Sequence, residues 1–298
     1  MFKSLVQKIY KKRVCYLLIL PFMLLFFVFT VLPVLISLFI SFTSFNILEP
    51  PRWVGLDNYF RLFFGDAVFI KSIGNTMVLA LAVGPLSYIL CLLVAWFVNE
   101  LQPKIRSVVT LIFYAPAISG NIYIVWATLF SKDEFGWLNG ILIRYGFTQG
   151  AIRWLENPKY MMPIVIGVAL WASLGISFLT FIAGLQGIDR TYYEAAAIDG
   201  LRNRWQELWF VTLPLMRPQL IFGAVLSISA SFGIGAITTA LTGLPSTNYA
   251  VHTIMNHLEL YGGIRYEMGY ASAIATLLFI LMISSNKIIQ SLIAKVGS

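Results

Sequence analysis

Apolar residues occur in long uncharged stretches along this chain, and short polar segments separate the stretches. A helix needs about 20 apolar residues to cross a hydrocarbon core of about 30 Å. Because the stretches are continuous rather than alternating, they predict membrane-spanning helices and not the strands of a barrel. Six spans are predicted, at about Val14–Ser41, Ser72–Val98, Ser107–Phe130, Tyr160–Ile188, Pro218–Leu241 and Met268–Asn286.

The composition agrees with this interpretation. Of the 298 residues, 59% are hydrophobic and only 11% are charged, whereas soluble domains carry about 25% charged residues. The basic N-terminus resembles that of a signal peptide. The first apolar stretch is too long for one, however, and no small-residue cleavage site follows, so a retained helix is predicted. We expect one all-α membrane domain over residues 1–298, surrounded by lipid.

The net charge of +8 raises the question of nucleic-acid binding. A nucleic-acid-binding protein gathers its basic residues on one exposed face. Here they lie between the apolar stretches, so no nucleic-acid partner is expected. Lys and Arg are more frequent on the side that carries both termini, where Lys3, Lys8, Lys11, Lys12 and Arg13 precede the first span. The positive-inside rule then places both termini in the cytoplasm.

The predicted spans contain almost no ionisable residue. Carriers coupled to protons or ions keep such groups at membrane depth, and an intramembrane enzyme needs an acid–base pair or a metal cluster. No catalytic residue and no metal site are therefore predicted. His252 and His257 lie five residues apart on an outer segment. That spacing does not place two side chains on one helix face, so each histidine is expected to be hydrogen-bonded or solvated rather than part of a catalytic or metal site.

The connection between the fourth and fifth spans, at about 189–217, is too long for a simple turn. Asp189 or Thr191 can cap a first short helix over Tyr192–Asp199. Gly200 then stands where a left-handed residue is needed to end it.

A second short helix is predicted at Arg204–Val211. Its Trp205, Leu208 and Trp209 fall at i, i+3 and i+4, which forms one apolar stripe. Either a partner protein or the membrane surface must cover such a stripe. The pattern therefore predicts a helix–glycine–helix projection. Whether a partner protein or the membrane surface covers its stripe is left open here.

Short motifs in this connection and elsewhere suggest a family. Glu194-Ala195-Ala196, Asp199-Gly200 and Leu213-Pro214 follow one another in the connection. This series resembles the EAA loop of binding-protein-dependent ABC importer permeases, with one residue more than usual between Gly200 and Val211. Other segments resemble the sugar permeases of the maltose and glycerol-phosphate class: Trp53-Val54-Gly55-Leu56-Asp57-Asn58-Tyr59, Asn75-Thr76, Gly136-Trp137-Leu138-Asn139, Ala183-Gly184-Leu185-Gln186 and Gly269-Tyr270-Ala271-Ser272-Ala273.

The resemblance implies a type I ABC importer permease fold in the bacterial cytoplasmic membrane, acting by alternating access. It implies a second homologous permease as heterodimer partner, two ATP-binding subunits and an extracytoplasmic solute-binding protein. ATP and Mg would bind to the ATPase partners, because this chain has no phosphate-binding Gly-x-x-x-x-Gly-Lys segment. The residues implied to couple the permease to ATP hydrolysis are Tyr193, Glu194, Ala195, Ala196, Asp199, Gly200, Trp205 and Leu208.

A sugar or oligosaccharide is the implied solute, and its pathway is predicted between the fourth and fifth spans. Sugars bind to aromatic faces surrounded by hydroxyl groups, and these spans carry both without charge. The candidate residues are Trp171, Ser173, Ser177, Phe178, Ser227, Ser229, Ser231 and Phe232. The alternative is that the serines bond to their own helices or pack helices closely.

A different class of transporter remains open at this point. A facilitated carrier or channel acting alone would also have six spans and a polar fifth span, but it would not need a helical projection with a Glu-Ala-Ala start. An embedded enzyme is disfavoured by the missing acid–base constellation.

Overall fold

The computed structural model of the chain describes residues 13–119 and 123–295, with side chains described up to residue 291. Helices make up almost all of this part, and a single pair of two-residue strands joins Thr43–Ser44 (β1) to Arg52–Trp53 (β2). The α-helices in chain order are α1 (Arg13–Phe26), α2 (Leu32–Ile40), α3 (Asp57–Phe60), α4 (Ala67–Asn99), α5 (Pro103–Ile118), α6 (Tyr123–Leu129), α7 (Trp137–Arg144), α8 (Pro158–Ala172), α9 (Ile176–Gln186), α10 (Arg190–Ile198), α11 (Arg204–Glu207), α12 (Leu213–Leu215), α13 (Arg217–Phe232), α14 (Gly235–Thr242), α15 (Ile254–Glu259) and α16 (Met268–Lys295).

Single π-helical turns extend several of these helices: Phe27–Val31, Arg61–Gly65, Leu208–Thr212 and Leu260–Ile264. Several helices begin where the sequence supplies a cap or a proline. Asp66, Asn157 and Asn203 each accept a hydrogen bond from a backbone N–H of the following first turn, and Pro103 opens α5. A capping oxygen bonds one of the free N–H groups at a helix start, and a proline there has no N–H that needs a partner.

The predicted spans correspond to observed helices. Three helices are long and apolar enough to cross a membrane: Arg13–Ile40, Ala67–Asn99 and Met268–Ser291. Bent helix pairs raise the number to six if each pair forms one span. The fifth span departs most from its prediction, because it is divided into α13 and α14 at Gly233 and Ile234.

The connections lie on two sides of the helices. We call the side with residues 100–102 and 187–216 the elbow side. The distal side carries residues 41–66, 130–157 and 243–267. Since successive spans alternate in direction, both described chain ends point to the elbow side.

The core forms three clusters of buried side chains, and α4 contributes to each of them through Phe69, Cys91 and Leu79 among others. By contrast, α1 and α2 have no buried residue. Their apolar side chains need lipid or another subunit to cover them.

Motif residues from the sequence hold the distal side together. The Asn58 amide donates to the carbonyl oxygens of Ser41 and Thr43, at 2.8 and 2.9 Å. The Asn139 amide donates to Ser131 O and Ile152 O, each at 3.0 Å. A Cβ on Gly269 would collide with the Thr43 carbonyl oxygen, so this close approach requires glycine.

Candidate functional site

Residues 187–216 form two short helices that we call the elbow. The Asp189 carboxylate accepts a hydrogen bond at 3.0 Å from the Thr191 N–H, so Asp189 is the cap of α10. Gly200 ends the helix with a φ of +98°. The N–H of Leu201 donates to Ala196 O at 3.0 Å, as in a Schellman motif. The predicted helix–glycine–helix projection is thus confirmed.

One face of α10 is attached to the protein and the other is open. Ala196 is buried, and the Tyr193 hydroxyl lies 3.0 Å from the Thr212 Oγ1. Glu194, Ala195 and Asp199 are exposed. The predicted acidic start of the loop is therefore free to meet another protein.

The second elbow helix does not present the predicted apolar stripe as one exposed surface. Leu208 is only 5% exposed and packs inside this chain, whereas Trp205 and Trp209 are 62% and 67% exposed. The expectation that Leu208 docks a partner is wrong, because its own chain already covers it.

The elbow is joined to the C-terminal end of α4. The Arg204 guanidinium lies 3.3 Å from the Glu100 carboxylate and 2.7 Å from that of Glu207. The rings of Trp96 and Trp205 pack with centroids 5.1 Å apart. A polar cleft of about 710 Å³ opens between α4, α5 and the elbow, and both Glu194 and Arg204 line it.

Both spans of the predicted solute pathway are interrupted. Between α8 and α9 the helix axis bends by 40°, and α13 is separated from α14 by two residues. The carbonyl of Ser173, at the first break, accepts from the Gly175 N–H at 2.7 Å. Discontinuous membrane helices present backbone groups that can bind solutes and ions. The predicted pathway residues flank these two breaks.

The side chains of those residues are mostly engaged in helix packing. Ser177 Oγ and Ser227 Oγ lie 3.3 Å apart between α9 and α13. Ser173 and Ser231 donate to carbonyl oxygens of their own helices, at 2.6 and 2.7 Å. The buried members of the set are Ser177, Phe178, Ser227, Ser231 and Phe232, while Trp171, Ser173 and Ser229 are half-buried. Neighbouring helices close over the buried serines in this conformation, as in the alternative that the serines pack helices closely, and the solute pathway stays a prediction.

Two grooves that the sequence did not predict lie beside these residues. One, of about 550 Å³, separates α6 from α14 and includes Tyr123, Thr128, Ala236 and Ala240. The other, also of about 550 Å³, is almost wholly apolar and brings Trp171 together with Trp126 and Trp137. The sequence contained one indication of the first groove. Ala236 and Ala240 lie four residues apart, so two small side chains share one helix face.

A buried polar network on the distal side was also missed, and we call it the distal cluster: Asp66, His252, His257, Tyr261 and Tyr270. The Asp66 carboxylate accepts from His257 Nε2 at 3.0 Å and from the Tyr270 hydroxyl at 2.8 Å. His257 Nδ1 lies 3.3 Å from His252 Nε2. Both histidines are 1% exposed, so they are hydrogen-bonded rather than solvated, and they contact each other although their spacing did not predict it. They meet because α15 starts only at Ile254, so the helical spacing rule does not apply to His252.

The carboxylate fixes the protons of this network. Ionised Asp66 can only accept, so His257 carries its proton on Nε2 and accepts from His252 through Nδ1. Burial lowers the pKa of His252 to about 4, with a contribution from His257. Burial also lowers the pKa of His257, although Asp66 opposes the shift. Burial of Asp66 would raise its pKa, but hydrogen bonds from Phe69 and Tyr270 hold it below its ordinary value.

Asn256 anchors the distal segment to α14. Its amide nitrogen donates to Gly235 O at 2.9 Å, and its amide oxygen accepts from Thr238 and Thr253, each at 2.7 Å. In the described ranges, no group of three or more His, Cys, Asp or Glu residues is arranged to hold a metal ion.

An all-helical chain with up to six spans, broken helices and an elbow on one side defines a multi-pass membrane permease. Residues 93–296 match the family of binding-protein-dependent transport system inner membrane components. The chain belongs to this family, and it is a multi-pass protein of the bacterial inner membrane.

Relatives of known name agree with this assignment. The chain is 34% identical to the probable ABC transporter permease protein YesP of Bacillus subtilis strain 168, over 90% of this chain and 86% of the relative. It is 31% identical to the arabinooligosaccharides transport system permease protein AraP of the same organism, over 92% and 86%. A crystal structure of a bacterial ABC transporter involved in the import of the acidic polysaccharide alginate matches with a TM-score of 0.76, 26% identity and 96% and 98% coverage.

Proposed function

We propose that this chain is one of two permease subunits of an importer for a sugar or oligosaccharide, driven by separate ATPase subunits. The observation that carries the proposal is the elbow, whose exposed Glu194 and Trp205 stand on a helix pair closed by a left-handed Gly200. An exposed, ordered projection with acidic and aromatic groups suits docking to a protein partner. The chain itself supplies no group for ATP hydrolysis in this proposal, so ATP and Mg bind to the partners.

The elbow side faces the cytoplasm in this proposal, and both chain ends lie there. The basic residues before the first span support this orientation. The name of the family supports a solute-binding protein as a partner, and in this orientation that partner meets the distal side. Residues 1–298 act as one membrane domain, and the uncovered α1 and α2 are available to a second, homologous permease.

The solute passes the two helix breaks. Trp171 and the groove of Tyr123 and Thr128 offer aromatic and hydroxyl groups on the open face. The Ser177–Ser227 contact between α9 and α13 closes the pathway in the present conformation, and rocking of the two subunits would separate these helices. Oligosaccharide is supported as the solute class by AraP, the transport system permease for arabinooligosaccharides.

The test is purification of the tagged chain from its native membrane. An ATPase and a second permease should co-purify, and proteoliposomes of the complex should take up labelled oligosaccharide only with ATP and binding protein. Trp171→Ala, Phe232→Ala and the paired changes of Ser173 with Ser177 and Ser227 with Ser231 to Ala should lower uptake while basal ATP hydrolysis persists. A chain that purifies alone and exchanges solute without ATP would instead be a carrier or channel.

A further inference from the structure

Helix α4 is attached to later parts of the chain at both ends, each time through the carboxylate of the residue at the cap position. At its start, Asp66 accepts a hydrogen bond from the Phe69 N–H at 2.9 Å and also holds His257 and Tyr270 of the distal cluster. At its end, the C-cap residue Glu100 lies 3.3 Å from Arg204 of the elbow. One helix therefore connects the two sides of the protein.

The two carboxylates differ in how well the helix accommodates them. The helix dipole stabilises an anion at the N-terminus, where Asp66 lies, and opposes one at the C-terminus, where Glu100 lies. Arg204 supplies the counter-charge at that unfavourable position. A second contact joins the same end to the elbow, because the ring of the buried Trp96 packs against Trp205.

Between these ends, α4 is continuous and deeply embedded. Its 33 residues form one helix in spite of Pro85, which gives a length of about 50 Å. Among the described elements, α4 alone contributes buried residues to all three core clusters. A close-packed core does not deform continuously, so a displacement at one end must move the other end or the whole packing unit.

We propose that α4 is the strut that transmits movement between the elbow and the distal cluster, with Asp66, Glu100 and Arg204 as its positioning residues. The inference rests on the proposed function, in which the elbow meets an ATPase and the distal side meets a binding protein. When the elbow moves, Arg204 displaces the Glu100 end of α4. The Asp66 end of α4 then displaces α15 and α16. Arrival of the loaded binding protein acts in the opposite direction, as linkage requires.

The test measures ATP hydrolysis by the whole complex in nanodiscs, with and without solute-loaded binding protein. Stimulation of the parent complex tests the proposed function, whereas the change in stimulation on substitution tests the strut. Glu100→Gln removes the negative charge that pairs with Arg204, and Tyr270→Phe removes the hydroxyl that donates to Asp66, each with little change of shape. Each should reduce the fold-stimulation about threefold or more while the basal rate stays within about twofold.

Matched variants separate this role from a loss of folding. Arg204→Lys keeps the positive charge opposite Glu100 and should retain the stimulation, whereas Arg204→Gln should lose it. Asp57→Asn and Lys104→Gln change exposed charges outside the elbow and the distal cluster and should leave the stimulation as in the parent.

The double variant decides between one strut and two independent sites. If α4 carries the signal, removal of the second attachment adds nothing, so the stimulation of the double variant Glu100→Gln with Tyr270→Phe should equal that of the single variant with the lower stimulation. Fold-losses that multiply in the double variant would overturn the proposal. So would parent-like stimulation in both single variants.

Discussion

The elbow and the distal cluster are both rich in polar residues, but they are held in different ways. Elbow bonds are mostly local, such as that from the Gln206 N–H to Asn203 Oδ1 at 2.9 Å. The distal cluster depends on bonds between distant positions, and Asp66 and His257 are 191 residues apart. Glu194 of the elbow is exposed, whereas the cluster histidines are fully covered.

This difference bears on what each region can do. A segment with local bonds and few buried anchors can move as a unit without unfolding the rest. A buried network whose members all depend on one carboxylate is rigid, since loss of any member leaves the others without partners. We therefore expect substitutions in the distal cluster to affect stability, and substitutions on the exposed face of the elbow to affect partner binding.

The largest effect is expected at Asp66. Asp66→Ala leaves His257 and Tyr270 without their acceptor and removes the cap of α4, which should cost about 3 kcal/mol or more of unfolding free energy. Asp66→Asn keeps a capping oxygen and should cost about 1 kcal/mol less. Thermal unfolding in detergent, followed by size-exclusion chromatography of a fluorescent fusion, measures both. An Asp66→Ala protein as stable as Asp57→Ala would contradict the account of the cluster.

The same distinction between local and distant bonds explains what the sequence could predict. The spans and the elbow follow from continuous apolar stretches, a cap at Asp189 and a glycine at 200, which are all local signals. The pairing of Asp66 with His257 leaves no local pattern. Ser227 and Ser231 lie four residues apart and share one buried face of α13, but spacing cannot tell whether that face meets a cavity or another helix.

The next effect separates Leu208 from Trp205 within the elbow. Leu208→Ala removes a buried side chain and should cost about 2–4 kcal/mol, which would lower expression and melting temperature together. Trp205→Ala changes a mostly exposed ring and should cost less than about 1 kcal/mol, yet it should weaken co-purification of the ATPase. Recovery of the ATPase, normalised to folded permease, gives the comparison. Equal recovery with Trp205→Ala would mean that the membrane surface covers this residue.

Gly200 is expected to matter less for stability than for the geometry of the elbow. Gly200→Val forces a β-branched residue into a left-handed backbone, at a cost of about 1–2 kcal/mol. The end of α10 should be displaced, so uptake should be lost while insertion into the membrane persists. Gly200→Asn is the matched control, because asparagine tolerates this conformation. If both variants transport like the parent, the left-handed turn is not needed for coupling.

Between pH 6.5 and 4, stability should depend on pH through the distal cluster and not through the elbow, which contains no histidine. The pKa of His252 falls from an ordinary value of 6.5 to about 4, so the unfolded chain binds a proton more readily than the folded one between these values. Stability is therefore complete above about pH 6.5 and decreases as the pH falls towards 4, by at most about 1.4 kcal/mol per pH unit for one histidine. Asp66 acts in a more acidic window, because its pKa lies below 3.8.

His252→Gln is the informative variant, since an amide can still donate to His257 Nδ1 but cannot titrate in this range. Its melting temperature should fall less steeply than that of the parent between pH 6.5 and 4.5. The interpretation is clean because the chain contains only two histidines and neither lies in the elbow. Gly200→Asn should keep the pH dependence of the parent. A parent slope that survives in His252→Gln would assign the titration to His257 instead.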